Sequence, residues 1–128
     1  MGNKAEIETT IGSLAQNPGS GLIVMPDGFM IVNRATLIDL AARHRLPTMY
    51  PFGYFADGGG LIAYGVDVVD LNRRAASYVD RILRGARPAD LPVQAPTAFE
   101  LAVNLRTARA LGLTVPQAIL LRADKVIE

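Results

Sequence analysis

The chain has 128 residues, half of them hydrophobic and a fifth charged, with 13 basic against 12 acidic side chains and a formal charge of +1. That is one domain's length, enough to bury roughly two thirds of the extended surface in a single core, and the composition is that of a folded chain. The balanced charge offers no field for a phosphate backbone, which excludes nucleic-acid binding, and the absence of Cys excludes disulfides, thiolate nucleophiles and Cys-ligated metals.

At the N-terminus Lys4 is followed by Glu6 and Glu8 rather than an apolar stretch, so MGNKAEIETTIGSLA is not a signal peptide. No window of about eighteen apolar residues is present to span a membrane. Ile7, Ile11, Leu14 and Ala15 share one face, which predicts a helix over 4–16, ended by Asn17-Pro18-Gly19-Ser20-Gly21. The continuous apolar run Leu22 to Met25 predicts a strand covered on both faces, and Pro26-Asp27-Gly28 turns the chain at its end. Asn33 is placed to cap a helix through Arg45 with Leu37, Ile38, Ala41 and Ala42 facing inward. Leu46-Pro47 breaks that helix, and Thr48 to Tyr50 reads as a second strand.

Pro51 to Gly60 reads as a loop and Leu61 to Tyr64 as a third strand. A Gly-Val-Asp turn then leads into the longest helix, Val68 to Arg84, with Val68, Leu71, Ala75, Val79 and Ile82 on one stripe and Gly85 as its stop. The glycines and small polar residues around this third strand admit two readings. One is a crossing between two lobes, beside which ligand clefts lie; the other is an ordinary strand-to-helix turn. Pro88 to Pro96 is an extended connector, Phe99 to Val103 a fourth strand, and Asn104 caps a short helix to Leu111 closed by Gly112. Pro116 starts a last helix. The order α-β-α-β-β-α-β-α-α predicts an α/β sheet with helices on both faces. A crossover helix normally joins two strands, yet here a helix comes first. Leu22 to Met25 therefore lacks a neighbour, and its open apolar edge predicts a homodimer, with exchanged segments as one form of it.

The glycine-rich stretches Asn17 to Gly21 and Gly58 to Gly60 precede strands, whereas a phosphate loop follows one and opens a helix. The single His, His44, stands between Arg43 and Arg45 at a helix end, where cations suit the dipole. Ser13, Ser20 and Ser77 lack the turn that exposes a nucleophile. No catalytic residue, metal site or cofactor is expected. Asp27 is the best-placed carboxylate for a polar ligand, because ligands of open α/β sheets bind off the carboxyl ends of strands; a turn-stabilising role explains it equally well. Asp67, with Asp70, either caps the long helix or accepts a hydrogen bond from a ligand amine. Tyr50, Phe52, Tyr54, Phe55 and Tyr64 gather five of the eight aromatic residues near one sheet edge, as a pocket wall or as core.

The segments GLIVMPD, LAARHRLPTMYPF, GGLIAYGVDVVDLNRRAASYVDRILRGARPADLPVQAPTAFELAVNLRTARALGLTVP and LLRADKVIE resemble the C-terminal part of ABC-transporter substrate-binding proteins, a family that includes tryptophan- and tyrosine-binding members. ILRGARPADLPV and FELAVNLRTARALGLTVP are the most specific strings, and the resemblance covers nearly the whole chain. It implies the periplasmic-binding-protein type I-like fold, in which two Rossmann-like three-layer lobes close on a small solute, often an amino acid. About 1–50 would then be the end of the second lobe, about 60–85 a return to the first, and about 88–128 a final crossing. By the same resemblance Asp27 lies in a loop facing the ligand, and Tyr64, Gly65 and Asp67 in the turn beside the hinge. The family's first half has no counterpart here, so one wall of the cleft is missing. The implied function is non-catalytic binding of an amino-acid-like solute, as a dimer or not at all, with an ABC permease as partner. The family is periplasmic; without an export signal this chain is expected to be cytoplasmic or cut from an exported protein. Two other readings stand beside it: a stand-alone flavodoxin-like effector-binding or signalling domain, and, ranked last, a Rossmann-type enzyme.

Overall fold

The computed structural model describes residues 3–128. Its elements in chain order are α1 (Lys4–Leu14), β1 (Leu22–Ile23), α2 (Gly28–Val32), α3 (Arg34–Arg43), β2 (Thr48–Tyr50), α4 (Gly53–Asp57), β3 (Ile62–Val66), α5 (Val68–Leu83), a 3-10 turn at Pro88–Asp90, β4 (Phe99–Asn104), α6 (Leu105–Ala110), α7 (Gln117–Leu120) and β5 (Lys125–Ile127). The five strands form one sheet in the order β1-β2-β3-β4-β5. Every pairing is parallel except β3 with β4. This is the α/β, mostly parallel architecture the sequence implies.

Local chemistry explains most of the boundaries. Asn3 Oδ1 accepts from the Glu6 amide at 2.9 Å and starts α1. Gly85 ends α5 at φ +104°, with its own amide bonded to Ile82 O and the Ala86 amide to Arg81 O. Those two bonds satisfy carbonyls that the last helical turn leaves open. Gly112 closes α6 in the same way at φ +71°.

Burial along the strands alternates with period two. One sheet face carries Val24, Thr48, Tyr50, Ala63 and Ala102, all buried, and packs with Ile7 and Ile11 of α1, Leu37 and Leu40 of α3 and Phe55 and Ala56 of α4. The opposite face carries Ile23, Tyr64, Phe99 and Val126, which are 67%, 52%, 50% and 40% exposed. Val103, also on that face, is fully buried beside the segment from Leu113 to Ile119, with which it lines a groove of about 190 Å³. Met49, Ile62, Val66 and Leu101 on the same face are half-buried, so the sheet is well covered on one side and only partly covered on the other.

Several expectations need correction. β1 is two residues long, and Ile23 and Met25 are exposed, so this strand is not covered on both faces; its apolar run reflects an edge beside open surface. Pro51 to Gly60 is not all loop, since it holds α4, whose single turn and a half is too short to show a helical period. Gly28–Val32 likewise forms a short helix, and β5 is an additional strand. In α3 the buried residues are Leu37, Leu40 and Ala41; Ala42 faces solvent. Asn33 stands at the N-cap of α3 but makes no side-chain cap bond; its Nδ2 donates back to Phe29 O in α2.

α5 forms where its pattern places it. No residue of this helix is buried, although its apolar stripe is the clearest in the chain. Leu71, Val79 and Ile82 remain 42%, 55% and 40% exposed. The connector holds the helix along one flank of that same stripe, where Leu71 and Ala75 lie beside Gln94, Ala95 and Pro96: Tyr78 Oη donates to Pro92 O, and Arg74 Nη1 to Ala95 O at 3.5 Å.

Two residues of the core carry testable consequences. Asn104 is 5% exposed; its Nδ2 donates to Ala56 O at 3.0 Å and its Oδ1 accepts from Thr107 N at 3.0 Å. One side chain therefore caps α6 and ties it to α4. Asn104→Ala is expected to cost about 2–4 kcal/mol, a lost cap plus an unpaired buried carbonyl, read by urea unfolding. Tyr50 is 2% exposed, and burial pushes its phenol up to about 12, with the Thr48 hydroxyl pulling partly back. The folded chain holds this proton more tightly than the unfolded chain, whose phenol titrates near 10. Its contribution is full below about pH 10 and is lost as pH rises towards 12, about 3 kcal/mol in all. Urea midpoints taken at pH 9 and pH 11.5 should fall steeply in the parent chain and less in Tyr50→Phe.

Candidate functional site

Because β1, β2 and β3 run parallel, the residues that follow them share one edge of the sheet. Asp27 follows β1, Pro51 and Phe52 follow β2, and Asp67 follows β3. This is the edge at which ligands of open α/β sheets bind.

Both aspartates cap helices. Asp27 Oδ1 accepts from the amides of Phe29 (2.9 Å) and Met30 (3.3 Å) at the start of α2. Asp67 Oδ1 accepts from Val69 (2.9 Å) and Asp70 (3.0 Å) at the start of α5. A short acceptor between a strand and a helix is what satisfies the free amides of a first turn. Asp27 also borders a groove of about 230 Å³ lined by Ile7, Ile11, Leu22, Val24 and Met30. That groove lies along the open flank of β1, the edge strand of the sheet.

Tyr64 stands on the partly uncovered sheet face, stacked on Phe99 with ring centroids 6.0 Å apart. Gly65, next along β3, lies against the loop after β2: a Cβ built there would meet Pro51 O at 1.8 Å. The glycine is what allows β3 and the Pro51 turn to approach. Tyr64, Gly65 and Asp67 are therefore brought together at one strand end, whereas Asp27 stands two strands away across β2. The aromatic group divides. Tyr50, Phe55, Tyr54 and Phe52 form a continuous stack, with centroid distances of 5.1, 5.2 and 5.4 Å, that starts in the core and ends at the surface. Tyr64 belongs to neither end of it and pairs with Phe99, which residue patterns alone did not single out. The signal would have been the pairing of Val66 with Phe99, two positions from Tyr64 on the same face.

His44 lies exposed at the C-cap of α3, and Ser77 Oγ donates to Arg74 O within α5. Among the described residues no three His, Cys, Asp or Glu side chains gather as metal ligands. None of the described helices is long and apolar enough to cross a membrane.

The model of the family described as ABC transporter substrate binding protein matches residues 1–127. A comparison with curated proteins finds no match. Among solved structures, a conserved domain protein from Vibrio cholerae O1 biovar El Tor superposes with a TM-score of 0.85 at 25% identity, over 97% of this chain and 42% of that one. An ABC domain in complex with L-Trp from Streptococcus pneumoniae gives 0.86 at 24% identity, over 99% and 44%. A substrate binding protein with adhesive properties from Clostridium difficile, in its ligand-free open form, gives 0.65 at 20% identity, over 99% and 42%. The chain spans less than half the length of each of these structures. With a family model matching almost every residue of an α/β sheet of this topology, the chain belongs to the ABC transporter substrate-binding proteins.

Proposed function

We propose that this chain binds a small amino-acid-like solute without transforming it, at the sheet edge carrying Asp27, Tyr64, Gly65 and Asp67, and that it does so as a homodimer. The observation that carries this reading is the exposed stripe of α5 together with a partly uncovered sheet face in the same chain. A helix with an apolar stripe is stable when that stripe is covered. A 16-residue helix is about 24 Å long, and five strands present a face about 20 Å wide, so α5 of one copy fits across the open face of another. Exchange of this element gives each copy a cover and places two solute-facing edges in one assembly. A second wall matters because such receptors hold a solute by closing on it.

Two further features support the reading. The exposed Tyr64–Phe99 pair offers an aromatic surface beside Asp67, the combination that holds an amino acid's side chain and ammonium group. A similarly folded ABC domain is in complex with L-Trp. Asp27 and Asp67 can cap their helices and still present the second carboxylate oxygen to a ligand amine, since both cap bonds in each case use Oδ1. Within the proposal the chain delivers its solute to an ABC permease on the outer side of the membrane, as the family does. Thermal unfolding in the presence of each of the twenty L-amino acids at millimolar concentration should show stabilisation by one or a few of them, about 2.7 kcal/mol when the ligand stands at a hundred times its Kd. A flat response to all twenty contradicts the solute assignment.

A further inference from the structure

The edge opposite the proposed solute site carries an open cleft of about 640 Å³, bordered by Arg45, Asp57, Gly59, Asn104, Arg106 and Thr107. We infer that it is a binding site for a small phosphate-type oxyanion held between the guanidinium groups of Arg45 and Arg106. The site is independent of the solute edge, since it gathers the residues preceding β2 and β3 and those following β4 and β5.

The first argument is backbone strain at Arg45. Three helices, α3, α5 and α6, end in the same pattern of two reversed amide bonds: Leu46 to Ala41 and Arg45 to Ala42, Ala86 to Arg81 and Gly85 to Ile82, Leu113 to Ala108 and Gly112 to Arg109. The residue at the turning point must take a left-handed backbone, which favours glycine. α5 and α6 use Gly85 and Gly112, while α3 uses Arg45, at φ +50°, the one non-glycine residue with positive φ among those described. A strained position held by a long charged side chain, with no hydrogen-bond or ion-pair partner, is the pattern of a residue kept for what it reaches.

The second argument is charge. Asp57, the carboxylate bordering the cleft, is paired with Lys125 Nζ at 2.6 Å. That leaves the Arg45 guanidinium without a carboxylate partner at the cleft, beside Arg106. Arg106 is already oriented, its Nε and Nη2 donating to Glu128 O at 3.1 and 2.5 Å, with Nη1 remaining for a ligand. Asn104 and Thr107 are occupied, by Ala56 O and Gly59 O respectively, so they build the wall rather than contact the ion. The fork of Arg45 and the single free Nη1 of Arg106, approaching from different elements, suit a tetrahedral ion with acceptors on all sides better than a flat carboxylate.

The test is a titration of the whole 15N-labelled chain with inorganic phosphate at constant ionic strength, with chloride and succinate as parallel arms. Saturable shifts at the amides of Gly58, Gly59 and Thr107 are expected with phosphate alone. Arg45→Gly should raise Tm, by about 3 °C, as the strain is released, while weakening phosphate binding roughly tenfold, the loss of one charged hydrogen-bonding group. Arg106→Gln should weaken it comparably. An equal response to chloride, tighter binding of succinate, or an unchanged phosphate midpoint in Arg45→Gly would overturn the site.

Discussion

Gly65→Ala should be the most damaging single methyl in the chain. The atom it would strike at 1.8 Å is the carbonyl oxygen of Pro51, part of the backbone between β2 and α4. A flexible side chain would swing aside; a carbonyl at a strand end moves only with its strand. Relief would require parting β3 from the Pro51 turn, and with it the packing of Tyr50, Phe55 and Ala63, each at most 2% exposed. The expected cost is more than about 3 kcal/mol, a fall in Tm of about 10 °C or more. Gly28→Ala is the control, since a Cβ there meets nothing within 4 Å. In the first turn of α2 it should be neutral or slightly stabilising. Urea unfolding of both variants separates the steric account from a general sensitivity to added bulk. Equal, small losses in the two would show that Gly65 is a convenience of sequence and not a requirement of the fold.

The second large effect is expected at α5. Replacing Leu71, Val79 and Ile82 together by Gln removes the stripe while leaving the capping bonds of Asp67 and Gly85 in place. Were these residues ordinary exposed side chains, the triple variant would behave as the parent, because surface substitutions usually stay within about 0.5 kcal/mol each. Under the proposed exchange of α5 between copies the outcome differs. Far-ultraviolet circular dichroism should show the sheet retained, light scattering should show monomers, and the response to the stabilising amino acid should weaken at least about tenfold. Variants on the opposite side of the same helix, such as Arg73→Gln, should retain the parent's association and response, because the Arg73–Asp70 ion pair at 3.9 Å is solvent-exposed and contributes little.

How far the sequence could be read depended on whether a feature was made locally. β2 was placed residue for residue, because Leu46-Pro47 stops α3 and Pro51 stops the strand. The ends of α5 and α6 were equally legible, since Asp67, Gly85, Asn104 and Gly112 act through their immediate neighbours. Two short helices escaped for the converse reason. Gly28–Val32 and Gly53–Asp57 are five residues each, too brief for a helical period to appear. β5 is defined by its pairing with β4, through Ala102 with Lys125 and Asn104 with Ile127, and such pairing leaves no mark in the three residues themselves. The stripe of α5 was legible as a pattern, but the pattern alone did not tell whether it is covered, because burial depends on what lies alongside.

The candidate site divides in the same way. The capping capacity of Asp27 and Asp67 follows from their place between strand and helix. That Tyr64 would meet Phe99 depends on the antiparallel register of β3 and β4, and that Gly65 must be glycine depends on a turn fourteen residues earlier in the chain. Arg45 shows the limit most clearly. Beside His44 it reads as a cation suited to a helix end, whereas its left-handed backbone, and the cleft it borders, emerge from the folded chain.

Size-exclusion chromatography with light scattering on the parent chain is the most direct test of the central claim that α5 and the partly uncovered sheet face cover one another between copies. A mass of twice the 13.7 kDa chain, persisting on dilution to the low micromolar range, is the predicted result. A stable, well-behaved monomer at every concentration would contradict it.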